Sequence, residues 1–329
     1  MDKKKSLWTL LKIGFSLSIL VYIIWLVDFK EVSRIIRSAD ITVLIIVFFL
    51  SLFDQWLGAY GWYSLLRAKG ISVSMRDLSV LFFESIFFGF LIPSSMGPDA
   101  IRAYNLSRKT SNATESISSI LVLRAVTLLS LYILAILSLT IYYDKVTDKR
   151  FINIVAGSLV LLGTAGIVVF LKPVRSVISK ILALFGAEGL RNQIEGLYSS
   201  FIDYSRCRRA LTISFSLMFF SQILRAVLSY VLGLSIGINI SIVSYLLYLP
   251  LVSIITKIPV SFGGLGLGEG SLIYFFLKAG ITYSEAFTIT ILISLVNMGI
   301  ALSGGVLYGL RVLFSKETVL KNKRGAKSV

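Results

Sequence analysis

The chain has 329 residues, of which 56% are hydrophobic and only 15% charged, and its mean hydropathy is +0.85. A soluble domain of this length needs far more polar surface, so the composition points to a polytopic, all-α membrane protein. The net charge of +16 sits in short segments between apolar runs, which argues against a nucleic-acid partner and fits the positive-inside pattern, with attraction to anionic lipid.

In chain order, Met1-Asp2-Lys3-Lys4-Lys5 precedes an apolar run over about 7–27. That run is too long for a signal peptide and lacks a small-residue cleavage site, so it reads as an uncleaved anchor. Further full-length spans are expected over about 41–66, 115–143, 152–171, 211–235 and 284–311. Each is near or above the roughly 20 residues needed to cross about 30 Å of hydrocarbon. Two weaker apolar regions, about 78–92 and 242–280, each end in or contain a break. The first reads Ile92-Pro93-Ser94-Ser95-Met96-Gly97-Pro98-Asp99 and the second Ile258-Pro259-Val260-Ser261-Phe262-Gly263-Gly264-Leu265-Gly266-Leu267-Gly268-Glu269-Gly270. Both carry IPxSxG with an acid downstream. Non-helical backbone at membrane depth has to lie against protein or a wet cavity, and paired broken segments point to a transport site. Trp8, Trp25, Trp62, Tyr63, Tyr142 and Tyr143 read as interfacial belts.

Lys and Arg placement sets the orientation. Lys3, Lys4 and Lys5, then Arg67, Lys69 and Arg76, then the basic linker over about 172–210, then the tail 312–329, all fit the cytoplasmic side, so both termini are expected there, in the cell membrane. Parity then requires 78–110 to begin and end inside as a re-entrant hairpin, and 242–283 to begin and end outside. Two full crossings of 242–283 satisfy the same parity. The expected fold is six full spans plus two oppositely oriented re-entrant hairpins. It forms an inverted repeat with halves over about 7–143 and 152–311 in a single membrane domain.

There are no histidines and a single cysteine, Cys207, so a His-based triad, a typical zinc site and an internal disulfide are excluded, and no catalytic group, metal or cofactor is expected. Intramembrane ionisable residues are the functional candidates instead: Asp54, Glu84, Arg124, Arg225, Lys257, Glu269 and Lys278. Asp99 and Arg102 sit three apart, which places them on one face of the first turn if a helix restarts near Pro98. Such a helix start suits a phosphate, with Asp99 as a plain cap the alternative. Glu269 reads either as a headgroup partner, which is favoured, or as a helix cap. The glycines Gly263, Gly264 and Gly266 permit close backbone approach, and Ser261, the serine of the second IPxSxG, is counted with them at the substrate site. The glycine-rich stretch lacks the G-x-x-x-x-G-K-[ST] pattern and a preceding strand, so it is not a nucleotide loop. Arg124 and Arg225 either snorkel to the interface or face a cavity and receive a lipid phosphate; Lys257 could serve from the other side.

At these motifs the chain resembles the transmembrane, flippase-type domain of lysylphosphatidylglycerol synthases and its stand-alone relatives. The resemblance rests on IPSSMGPDAIRAYNLSRK (92–109) and IPVSFGGLGLGEGSLIYFF (258–276) and spans nearly the whole chain. It implies that Arg102, Glu269 and the neighbouring glycines line a lipid-headgroup cavity. Two positions depart from the family pattern: Pro98 stands where a glycine is common, and Gly268 where relatives often carry a basic residue. In bifunctional relatives a soluble aminoacyl-transferase domain follows; here about 18 residues follow the last span, so synthase activity is expected to be absent. The expected function is a non-enzymatic, flippase-like transporter of a phosphate-bearing lipid, either a phospholipid or a polyprenyl-linked one, with membrane lipids as partners and room for an oligomer. The alternatives are a membrane-embedded transferase acting on lipid-linked sugars and a small-anion or ion-coupled carrier.

Overall fold

The computed structural model describes residues 18, 21–91, 97–110, 112–141, 157, 188–256 and 266–325, and among these residues it contains helices and no strand. After a short helical stretch over 21–25 come α1 (Phe29–Arg37), α2 (Ile41–Ala68), α3 (Met75–Leu91), α4 (Gly97–Thr110) and α5 (Ala113–Ile141). Then follow α6 (Glu188–Tyr204), α7 (Arg208–Ser235), α8 (Ile242–Ile255), α9 (Leu267–Lys278) and α10 (Tyr283–Gly325).

Short polar connectors start these helices. Asp28 Oδ1 accepts from the Lys30 and Glu31 amides at the start of α1, and Asp40 Oδ1 accepts from Thr42 N at the start of α2. Each satisfies amides that have no partner within the helix. Among the described residues four helices are long and apolar enough to cross a membrane: α2, α5, α7 and the Tyr283–Leu313 part of α10. They coincide with four of the six expected spans. The other two expected spans, 7–27 and 152–171, lie outside the described residues apart from 18, 21–27 and 157. At 1.5 Å per residue, α3, α4, α8 and α9 reach about 26, 21, 21 and 18 Å, each less than the hydrocarbon thickness.

The packing has a repeating order. α2 and α7 lie against each other, α3 packs on α2 and on its own successor α4, and α8 packs on α7 and on α9. Each short pair then crosses to the other half, α3 meeting α10 and α8 meeting α5. The α2/α7 pair is antiparallel. Asp40 N donates to Ser235 O at one end, and Ser214 Oγ donates to Gly61 O towards the other. The two limbs beside the first break touch closely: a Cβ on Gly89 would sit 2.3 Å from Pro98 Cγ, so glycine at 89 makes room for proline at 98.

One expectation changes. Trp62 is fully buried rather than interfacial, because its indole N–H reaches Ser119 Oγ at 3.0 Å between α2 and α5. Trp25 stays exposed. The expected linker contains α6, which packs on α5 and is tied down by charge: Lys69 Nζ lies 3.3 Å from Asp203 and 3.7 Å from Glu115, and Ser200 Oγ donates to Glu115. In the same corner burial, then Glu115 and Cys207, push the Tyr204 hydroxyl well above its usual range, so it stays neutral. Beyond residue 311 the expected tail continues as helix to Gly325.

Candidate functional site

Among the described residues two cavities stand out between the helices, of about 400 and 290 Å³. The larger is bounded by α2, α7, α8, α9 and α10, the smaller by α2, α3, α4, α5, α7 and Ser253 of α8. Gln55, Gln222, Arg225 and Ser253 line both, so they form a shared polar wall.

In the larger cavity, Asp54 sits near the middle of α2 and is 2% exposed. A carboxylate there needs compensation. Ser221 Oγ donates to Oδ1, Arg225 Nε donates to Oδ2 at 2.8 Å, and Gln55 Nε2 donates to Oδ2 at 3.2 Å. Arg225 itself remains half exposed. Its contact with Asp54 uses Nε, which leaves the planar fork of the guanidinium at the wall between the cavities.

In the smaller cavity the charge is organised around Asp99, in the first turn of α4. Arg124 Nη1 of α5 donates to Asp99 Oδ2 at 2.6 Å, and Arg102 Nη1 lies 3.4 Å from Oδ1. Arg102 is buried; its Nε donates to Ser85 Oγ at 2.8 Å, and its guanidinium lies 3.7 Å from the centre of the Phe82 ring. Ring face, hydroxyl and carboxylate together compensate the buried guanidinium. Arg102, Arg124 and Arg225 against Asp54 and Asp99 leave the two cavities with one excess positive charge.

The structure thus gathers Asp99, Arg102, Arg124 and Arg225, brings in Asp54 from the wider set of intramembrane candidates, and adds Gln55 and Gln222, which sequence reasoning did not name. Asp54 stood out as an acid within a span, but its partner is 171 residues away. Arg124 lines the smaller cavity and Arg225 lines both. Lys257, Ser261, Gly263 and Gly264 lie outside the described residues.

Glu269 and Gly266 line neither cavity. Glu269 Oε2 accepts from Gly266 N at 2.8 Å, so the carboxylate caps α9. Gly266 has φ +77, a left-handed conformation in which glycine carries no Cβ penalty. Gly268 faces Thr256 of the opposite limb, which lines the larger cavity; a Cβ there would lie 3.1 Å from Thr256 Cγ2. Among the described residues no group of three or more Cys, Asp and Glu is placed to hold a metal.

The profile of the lysylphosphatidylglycerol synthase TM region matches residues 9–304. The chain belongs to this family. No curated protein and no solved structure matches it. The match takes in α1 to α9 and most of the span in α10, so the residues that line both cavities lie within the matched region.

Proposed function

We propose that this chain is a flippase-like transporter, not an enzyme, and that it moves a phosphate-bearing lipid between the leaflets of the cell membrane. The observation that carries the reading is the shared wall. Two small polar cavities meet at Arg225, deep among the spans, with one more guanidinium than carboxylate. An anionic headgroup can exchange for a carboxylate at Arg124, pass the Gln55 and Gln222 amides, and reach Arg225. At every step it replaces one charge-assisted bond with another, while its tails stay in lipid. Volumes of about 400 and 290 Å³ suit a headgroup and exclude the tails.

The inverted repeat is part of the proposal. In its support, α3 crosses to α10 as α8 crosses to α5, the exchange a two-fold axis in the membrane plane produces. Re-entry of α3–α4 is supported by Lys109 Nζ, 3.3 Å from Asp77, which joins the end of α4 to the start of α3. Re-entry of α8–α9 is supported by its short limbs and by the Tyr245 ring near the start of α8, tilted with its centroid 5.2 Å from that of Phe276 near the end of α9. The Lys69–Asp203 contact joins two loops assigned to the cytoplasm, in keeping with cytoplasmic termini.

Native mass spectrometry of the protein released from membranes tests the reading. A phosphate-bearing lipid should be retained by the wild type and lost from Arg124→Gln and Arg225→Gln. Equal retention of neutral and phosphate-bearing lipids, unchanged in both variants, would count decisively against it.

A further inference from the structure

Glu84 takes no part in either cavity, yet its environment is the most exacting in the molecule. It lies on α3 within Leu81-Phe82-Phe83-Glu84-Ser85-Ile86-Phe87-Phe88 and is 0% exposed. Arg311 Nη2 of α10 approaches Oε2 to 2.9 Å, but outside hydrogen-bonding alignment, and neither carboxylate oxygen receives a donor. A buried carboxylate with no hydrogen bond to its charged form is poised to take up a proton.

No other charged group described on the elements around α3 lies within ion-pair distance of Glu84. On α3 itself Asp77 pairs with Lys109 of α4, and Arg76 at the first turn has no ion pair within 4 Å among the described residues. On α4, Arg102 and Asp99 pair with each other and Arg108 lies against Tyr104. On α2, Asp54 pairs with Arg225 and Arg67 lies over Tyr63. On α10, Glu285 bonds to Thr282 at the far end of the span. Arg311 is therefore the one cation within ion-pair distance of Glu84 among the described residues, and its side chain is 43% exposed.

The pair also stands at a mechanical junction. α3 lies so close to α10 that a Cβ on Gly304 would sit 2.1 Å from Phe83 O, and one on Gly305 2.7 Å from the Phe87 ring. The next residue of α3, Ser85, holds Arg102 of the smaller cavity. We propose that Glu84 is a proton-binding site that couples the α3–α4 pair to α10. With the carboxylate charged, Arg311 clamps the two together. When Glu84 takes a proton to become the neutral acid, Arg311 keeps its charge and turns to water, and α3 is free to move with Arg102. The ligand is the proton itself, and the site gives the transporter a coupling ion whichever lipid its cavities carry.

Infrared difference spectroscopy of the full chain in phosphatidylglycerol vesicles, between acidic and alkaline buffer, reads this directly. The wild type should show a protonated-carboxyl band at acidic pH. The band should vanish in Glu84→Gln, shift in frequency in Glu84→Asp, and persist to higher pH in Arg311→Gln. Asp99→Asn should leave it unchanged. The Asp and Arg311 arms keep the test valid if the Gln variant does not fold. A wild type without a titrating band, or a band unaltered in Glu84→Asp and Arg311→Gln, overturns the assignment. None of these outcomes depends on lipid transport, so its failure is separable from failure of the transport reading.

Discussion

The Asp54–Arg225 pair is asymmetric, and the asymmetry has a measurable consequence. Asp54 is 2% exposed while the Arg225 side chain is 49% exposed. Replacing Arg225 with Leu strands a buried carboxylate with only Ser221 and Gln55 as donors, a loss of about 3 kcal/mol. Replacing Asp54 with Asn leaves a half-exposed guanidinium that turns into the cavity, a loss of about 1 kcal/mol. In the double variant no charge is left stranded, so its loss should be about 2 kcal/mol and the coupling between the sites likewise about 2 kcal/mol. Reversible unfolding in mixed detergent micelles, run on all four proteins of the cycle, measures this. Additivity within about 0.5 kcal/mol, or Asp54→Asn as costly as Arg225→Leu, would refute the pairing of a buried acid with a cavity-facing cation.

Three further outcomes follow from the geometry. Gly304→Ala should destabilise by about 2 kcal/mol or more, because the clash is with Phe83 backbone, whereas Gly309→Ala meets nothing and should stabilise by up to about 1 kcal/mol in the same unfolding assay. Glu269→Ala should cost about 1 kcal/mol of stability through loss of the α9 cap and leave lipid retention unchanged; loss of retention at full stability would restore Glu269 to the headgroup site. Lys69→Met should weaken the anchoring of α6 by about 1 kcal/mol and expose 188–204 to limited proteolysis, with cleavage at the wild-type rate contradicting that tie.

How legible each feature was depended on its range. The spans in α2, α5, α7 and α10 follow from composition alone, because about 20 apolar residues have one outcome in a bilayer. The Asp99–Arg102 pair is equally local, three residues apart on one helical turn. Glu269 was open to two readings, and the nearby Gly266 amide took it as a cap. The helix beyond residue 311 reads as a tail by charge, yet Lys316, Glu317, Leu320 and Lys321 are good helix formers and no proline interrupts them. Asp54 with Arg225, Glu84 with Arg311 and Trp62 with Ser119 join residues far apart in the chain, and no local pattern encodes such partners. Gly89 makes sense only beside Pro98, whose ring occupies the space a side chain at 89 would need.

The central claim is movement of a phosphate-bearing lipid past Arg225. Its most direct measurement is the initial rate at which labelled phosphatidylglycerol crosses the bilayer of vesicles holding the purified protein, compared with the Arg124→Gln/Arg225→Gln double variant. The wild type should be faster by about tenfold or more, equivalent to about 1.4 kcal/mol of barrier. Equal rates in wild-type, variant and protein-free vesicles, with labelled polyprenyl phosphate behaving the same way, would contradict the account.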